Sequence, residues 1–347
     1  MAGLLSMTTH PRLSIGLPVY NGESLLPASI DALLGQSYGD FELIISDNAS
    51  TDRTAEICRS YEEQDSRVRY IRQPQNIGLI PNHNFLVGEA RGEFFKWASH
   101  DDLYHRDFLR RCVESLDAHP EASLAHAWCV LMDPGGRPVQ YFKYPKGTAA
   151  SRAPDRFHSM LYDGKGDWTY AVYRMSVLRQ TPLHASYHNG ERTLIAEFAL
   201  HGTLFQVPEW MYFRRDHPNR HLSPRGWSTG FDPRRAKQSA ARLYAEYLWG
   251  YVSAVHRSPL PPAEKRECYG HLVRWLASRT VPAEQEGEEE ASFKTQPALY
   301  LVRRLSGLVL PARTPDSGAQ APVGQASDAV PDLNIDALVP SKEEENL

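Results

Sequence analysis

Through its first 130 residues the chain alternates short apolar runs with stretches whose apolar positions recur every three or four residues. Residues 13–20 form an apolar run that reaches Pro18 and is followed by Asn21-Gly22, a turn signal. Leu26, Ile30, Leu33 and Leu34 then share one face, which predicts a helix over 23–34. A second strand is predicted at 41–46, and Ser50 or Thr51 can cap a helix running to about Glu63. A third strand falls at 68–72, a short helix at 81–90 and a fourth strand at 93–97. Phe108, Leu109, Cys112, Val113 and Leu116 make one further helical stripe.

Strands separated by helices of this length imply βαβ crossovers and a parallel sheet, an α/β fold. Ligands of such sheets bind beyond the carboxyl ends of the strands. Three polar clusters are expected at those ends: Asn21-Gly22-Glu23, the run from Asp47 to Asp52, and His100-Asp101-Asp102. From 122 to 144 the pattern turns strand-like, with a hairpin turn at Asp133-Pro134-Gly135-Gly136. A strand at 167–174, a helix at 190–201 closed by Gly202, a strand at 203–214 and helices near 233–256 and 262–278 complete the reading. Residues 284–290 hold five glutamates and read as an exposed linker. From Pro315 onward seven acids, one lysine and few apolar residues predict disorder. The expected division is 11–225 for the main domain (11–103 and 104–225 as its halves), 226–311 for a helical extension and 312–347 for an acidic tail.

A net charge of -4 gives no support to nucleic-acid binding. Cys58, Cys112, Cys129 and Cys268 lack the spacing of a zinc site or a disulfide framework, which fits a reducing compartment. No secretory signal and no apolar run of ~18 residues is found, so a cytoplasmic protein is expected.

Adjacent carboxylates at Asp101-Asp102 repel, and a divalent cation would relieve that repulsion; a helix cap is the plainer alternative. Asp47 ends the second strand, where it can face a base or ribose, and the helix start beyond it can offer amides to an anion; a capped turn explains it equally. Glu191 opens a helix on its inward side, where burial and the helix dipole pull its acidity in opposite directions, as suits a general base; a simple dipole-compensating glutamate is the alternative. Glu197 lies on another face. Arg214, Arg215, His217, Arg220 and His221 could hold a diphosphate, with His217 as a metal ligand, or form a solvated basic loop.

Taken in order, several segments resemble family-2 glycosyltransferases of the GT-A fold over roughly residues 11–220. They are Leu17-Pro18-Val19-Tyr20-Asn21-Gly22, Gln36-Ser37-Tyr38 with the strand at 41–45, and Ser46-Asp47-Asn48-Ala49-Ser50-Thr51-Asp52. Asn76-Ile77-Gly78 with Asn82 and Asn84 follows, then Lys96-Trp97-Ala98-Ser99-His100-Asp101-Asp102, Gly190-Glu191-Arg192 with Leu194, Val207-Pro208-Glu209, and the stretch from Arg214 to Pro218. Two positions depart from the pattern: Asn48 stands where many relatives carry a second Asp, and Glu191 where the base is often Asp.

The resemblance implies a Rossmann-like, mostly parallel sheet flanked by helices, and inverting transfer of a sugar from a nucleoside-diphosphate-sugar donor to an acceptor hydroxyl. It implies that Pro18, Tyr20 and Glu23 line the nucleoside pocket, that Asp47 contacts the base and that Asn76 lies on the donor side. It further implies Asp102 as the ligand of Mg²⁺ or Mn²⁺ supported by Asp101, Glu191 as the base, and His217 and Arg215 on the diphosphate. The rival readings are a metal-dependent nucleotidyltransferase, against which the glycine-poor and cation-free 17–23 loop speaks, and a catalytically silent sugar- or nucleotide-binding scaffold. Leu301, Val302, Leu305, Leu308 and Val309 share a helical face, so residues 298–310 could contact the inner face of a membrane or pack on the domain.

Overall fold

The computed structural model describes residues 10–144, 146–162, 167–187, 190–216, 232–235, 237–238 and 240–278. The expected acidic linker, the stretch 298–310 and the acidic tail lie outside the described residues.

The strands are β1 (Leu13–Val19), β2 (Phe41–Asp47), β3 (Val68–Arg72), β4 (Phe94–Trp97), β5 (Leu103–Tyr104), β6 (Ala122–Met132), β7 (Pro138–Phe142), β8 (Val172–Arg174) and β9 (Thr203–Arg215). The helices are α1 (Leu26–Leu34), α2 (Thr54–Gln64), α3 (Leu79–Glu89), α4 (Phe108–Ala118), α5 (Ala153–Tyr162), α6 (Met175–Leu178) and α7 (Gly190–His201). Two more follow, α8 (Ala240–Arg257) and α9 (Pro262–Ser278).

One sheet runs in the order β3, β2, β1, β4, β8, β6, β9, β5, with β7 added to β6. The first four strands pair in parallel, as the alternation of apolar runs and helices predicts. Beyond β4 the sheet is mixed: β8 runs antiparallel to β4 and β6, whereas β6 and β9 are parallel. β1 and β2 are buried at every position, so they read as mostly apolar runs, interrupted at Ser14, Glu42, Ser46 and Asp47, and not as alternation. The helices on both faces supply that cover.

Several boundaries move for local reasons. α2 begins at Thr54, three residues beyond Thr51, because the intervening amides are bonded by side chains instead of a helical turn. The predicted strand at 167–174 is a 3-10 turn at Asp167–Tyr170 followed by the short β8. α5, absent from the expected elements, buries Phe157, Met160 and Leu161. Tyr247 and Tyr251 of α8 and Trp275 of α9 join the same continuous core as the sheet. An ion pair between partly exposed Arg257 and buried Glu197, at 2.8 Å, fastens α8 to α7.

Candidate active site

The crevice opens where the strand order reverses, between β1 and β4. Pairing of β1 with β4 stops at Gly16 and Trp97, whereas pairing with β2 continues to Val19 and Asp47. The backbone shows the same divergence: Ala98 N–H donates to Gly16, and Asn48 N–H donates to Val19. Pro18 has the same parity as Gly16, so its missing N–H falls on the side that β4 has already left. A proline is therefore tolerated in a central strand at this one place. Tyr20 follows, 47% exposed, at the mouth of this crevice.

Three loops are laced together around it. Asn21 adopts a left-handed conformation (φ 51°), accepts a bond from Thr51 N–H at 2.9 Å, and donates its own amide to Ser50 Oγ. Gly22 N–H donates to Thr54 Oγ1, and a Cβ at Gly22 would stand 2.9 Å from the His100 ring. The Glu23 carboxylate accepts Arg53 N–H at 3.0 Å, and Asp52 accepts from Glu23 N–H and Thr54 N–H. This corrects the expected anion site at the start of α2: carboxylates and an amide oxygen already occupy its amides. The expected lining residue Glu23 is an exposed cap on that helix.

Asp47 is fully buried. Its Oδ1 accepts Ser50 N–H at 2.8 Å; its Oδ2 accepts the Tyr70 hydroxyl at 2.8 Å and lies 3.4 Å from Arg72. Burial and the Asp47 bond push the Tyr70 hydroxyl up to about 12, so it remains a donor. Tyr70 and Arg72 were missed in the sequence, although they share one face of β3 by simple alternation.

Asn48 acts as a clamp: Nδ2 donates to Asn76 Oδ1 at 3.0 Å and to the Gly78 carbonyl at 3.2 Å, while Oδ1 accepts Ile77 N–H at 2.8 Å. An aspartate could accept the last bond but donate neither of the first two. The departure from the family pattern at this position thus has a structural reason. Asn76, exposed, has its Oδ1 committed to Asn48 and to Gly78 N–H.

The acidic loop leaves β4 and enters β5. Ser99 Oγ donates to Asp101 Oδ1, and Ser29 Oγ donates to the Ser99 carbonyl at 2.7 Å. Asp102 is fully buried; its Oδ2 accepts the Tyr212 hydroxyl at 2.6 Å and its Oδ1 accepts Arg215 N–H at 3.0 Å, both from β9. The Arg215 guanidinium donates to the Asp101 carbonyl at 3.2 Å and to the Pro134 carbonyl at 2.9 Å, so it braces the acidic loop against the β6–β7 hairpin. Under the loop, Lys96 Nζ donates to the Tyr170 carbonyl and lies 4.2 Å from the Tyr104 ring centroid. Burial lowers its pKa to about 7.

Among the described residues no group of three or more His, Cys, Asp or Glu side chains is arranged to hold a metal ion. Two adjacent carboxylates suit a hard cation that completes its shell with water and diphosphate oxygens. Asp101 and Asp102 fit that need, and Asp101 is the less buried of the two, at 5% exposure against 0%.

Glu191 stands half-buried in the first turn of α7, as expected. Gly190 before it is packed so closely that a Cβ would lie 2.2 Å from the Ala185 carbonyl. Glu197, 1% exposed, is spent on Arg257. His217 lies outside the described residues.

A protein-family model, Glycosyl transferase family 2, matches residues 14–183. A Sinorhizobium fredii protein of uncharacterized role is 35% identical over 133 residues, which is 36% of this chain and 15% of that one. An uncharacterized glycosyltransferase of Rickettsia typhi is 34% identical over 110 residues, covering 32% of this chain and 33% of its own. The glycosyltransferase GlyA of Streptococcus pneumoniae is 30% identical over 110 residues, covering 32% and 16%. The match thus spans a third or less of these relatives' length. Among solved structures, S. aureus TarS 1-349 in complex with UDP superposes with a TM-score of 0.56 at 16% identity, over 83% of this chain and 76% of that one. The same protein in complex with UDP-GlcNAc gives 0.56, over 85% and 88%. At that identity the likeness is one of fold.

Proposed function

We propose, from the match of residues 14–183 to the Glycosyl transferase family 2 model, that the chain moves a sugar from a nucleoside-diphosphate-sugar to an acceptor hydroxyl with inversion. The observation that carries this reading is the crevice at the reversal of strand order, bordered by Asp47 on one side and the Asp101-Asp102 loop on the other. Structural neighbours bound to UDP and to UDP-GlcNAc support a nucleotide-sugar as the donor.

Tyr20 and Pro18 line the nucleoside side, and Asp47, flanked by Tyr70 and Arg72, forms its base-side wall. Asp101 and Asp102 would hold Mg²⁺ or Mn²⁺, with Asp101 at the outer position and Asp102 anchoring the loop to β9. The sequence reading instead takes Asp102 as the ligand and Asp101 as its support; the order is exchanged here because Asp102 is the more buried and is tied to β9 through Tyr212 and Arg215. When bound there, the cation would supply charge neutralisation for the departing diphosphate. Glu191 takes the acceptor hydroxyl proton; the acceptor oxygen bonds to the anomeric carbon, and the bond to the diphosphate breaks from the opposite face with its electron pair. Arg215 keeps the acidic loop in place, and His217 is proposed at the diphosphate.

The test is turnover of a nucleotide-sugar panel, with donor hydrolysis as the minimum readout. Glu191→Gln is expected to lower turnover by about 10²- to 10⁴-fold with the fold intact. Asp101→Asn is expected to remove metal stimulation. Wild-type turnover by either variant would remove that residue from the mechanism, and a silent wild type would favour the binding-scaffold reading.

A further inference from the structure

One side chain of α3 bonds twice to the segment that precedes Glu191. Asn84, half-buried on α3, donates Nδ2–H to the His184 carbonyl at 2.8 Å and accepts His184 N–H on Oδ1 at 3.1 Å. Both bonds of one amide thus close on the backbone of a single residue 100 positions away. Only one orientation of the amide satisfies them, since a flip would set donor against donor and acceptor against acceptor.

The segment so held is under constraint. Leu183 adopts φ 63°, a left-handed conformation that a leucine rarely takes unless its surroundings impose it. The His184 ring packs 4.4 Å from Trp97, the last residue of β4, and 5.8 Å from His83 of α3. Trp97 Nε1–H donates to the His83 carbonyl at 2.9 Å. Burial keeps both imidazoles neutral, so they pack as apolar rings between β4 and the 183–187 segment. The first residue of α7 is tied back to this segment: Gly190 N–H donates to the Tyr187 carbonyl, and Gly190 is seated against the Ala185 carbonyl. The next residue is Glu191.

We propose that Asn84 is a positioning residue for the transfer reaction: its two hydrogen bonds to the His184 backbone fix the start of α7, and so the Glu191 carboxylate, relative to the acidic loop that leaves β4. The inference rests on Glu191 being the base. Nothing in it requires Asn84 to touch donor or acceptor. It explains why an amide is placed here, since aspartate would keep the acceptor for His184 N–H but face the His184 carbonyl with a second acceptor.

Asn84→Asp and Asn84→Ala in the full chain test it by three readouts: turnover, affinity for nucleoside diphosphate with Mn²⁺, and amide exchange. The expected result is a loss in kcat of roughly 100-fold, the scale of an ångström-sized misplacement. Nucleoside-diphosphate affinity should stay within about twofold, and exchange should quicken across 183–195 but not in β1, β2 or β4. The proposal is overturned if exchange at 183–195 quickens while kcat is unchanged, or if that segment does not respond. It is equally overturned if exchange rises throughout the chain and donor affinity falls, which would make Asn84 a general stabiliser. A wild type that turns over no donor would sink the glycosyltransferase reading itself. Exchange would still decide whether Asn84 holds the segment.

Discussion

Replacing Tyr212 with phenylalanine removes one oxygen from the core and tests whether Asp102 is anchored from β9. The hydroxyl donates to Asp102 Oδ2 at 2.6 Å, and neither residue is exposed to solvent. The ring has its own support, since it stacks on Tyr104 at 5.5 Å and an interplanar angle of 20°, so Phe should occupy the same space. What is lost is a charge-assisted bond to a buried carboxylate, worth about 1.5–3 kcal/mol. A domain of this size loses ~2–4 °C in Tm per kcal/mol, so Tyr212→Phe should melt about 3–12 °C below wild type. A carboxylate with fewer internal donors is also a looser anchor for its neighbour. The metal concentration giving half-maximal activation should therefore rise several-fold, with little change in nucleoside affinity without metal. Thermal denaturation and a Mn²⁺ titration of donor turnover read the two effects separately. An unchanged Tm together with an unchanged metal titration would refute the reasoning.

Asn48→Asp keeps the acceptor for Ile77 N–H but loses the donors to Asn76 and Gly78, at a cost of about 1–3 kcal/mol, measurable in urea unfolding. Arg257→Ala leaves Glu197 as a buried, uncompensated carboxylate. The cost, ~3 kcal/mol or less because Arg257 is 38% exposed, should be largely recovered by adding Glu197→Gln. Burial lowers His83 to about 4 and His184 to about 3, from 6.5. The unfolded chain therefore binds protons that the folded chain refuses, and stability should fall as pH drops from about 6.5 towards 4. Each histidine contributes up to ~1.4 kcal/mol per pH unit, and His184→Phe should flatten the profile.

The strands β1, β2 and β4 were legible because they are buried on both faces. Residues 13–19 and 41–45 are mostly apolar, and helices such as α1 and α4 show one apolar stripe each. The acidic loop and Glu191 were legible by their place after a strand and at a helix start. The loop chemistry was not. Glu23, Asn48 and the amides ahead of α2 all find partners about 30 positions away, and local pattern carries no record of such pairings. Tyr212 and Asp102 are 110 positions apart. In the sequence, Arg215 is a cation suited to phosphate; in the fold its guanidinium is given to two carbonyls, because β9 brings it between the acidic loop and the β6–β7 turn. α5 was missed because a ten-residue helix with three apolar anchors has too short a period to stand out.

The most direct measurement is isothermal titration of the full chain with nucleoside diphosphates and their sugars, with Mn²⁺ and with chelator. The account predicts that at least one base binds, about tenfold or more tightly with Mn²⁺, and that Asp101→Asn abolishes the metal effect while keeping the metal-free affinity. Absence of binding across the panel, or affinity indifferent to metal in the wild type, would contradict it.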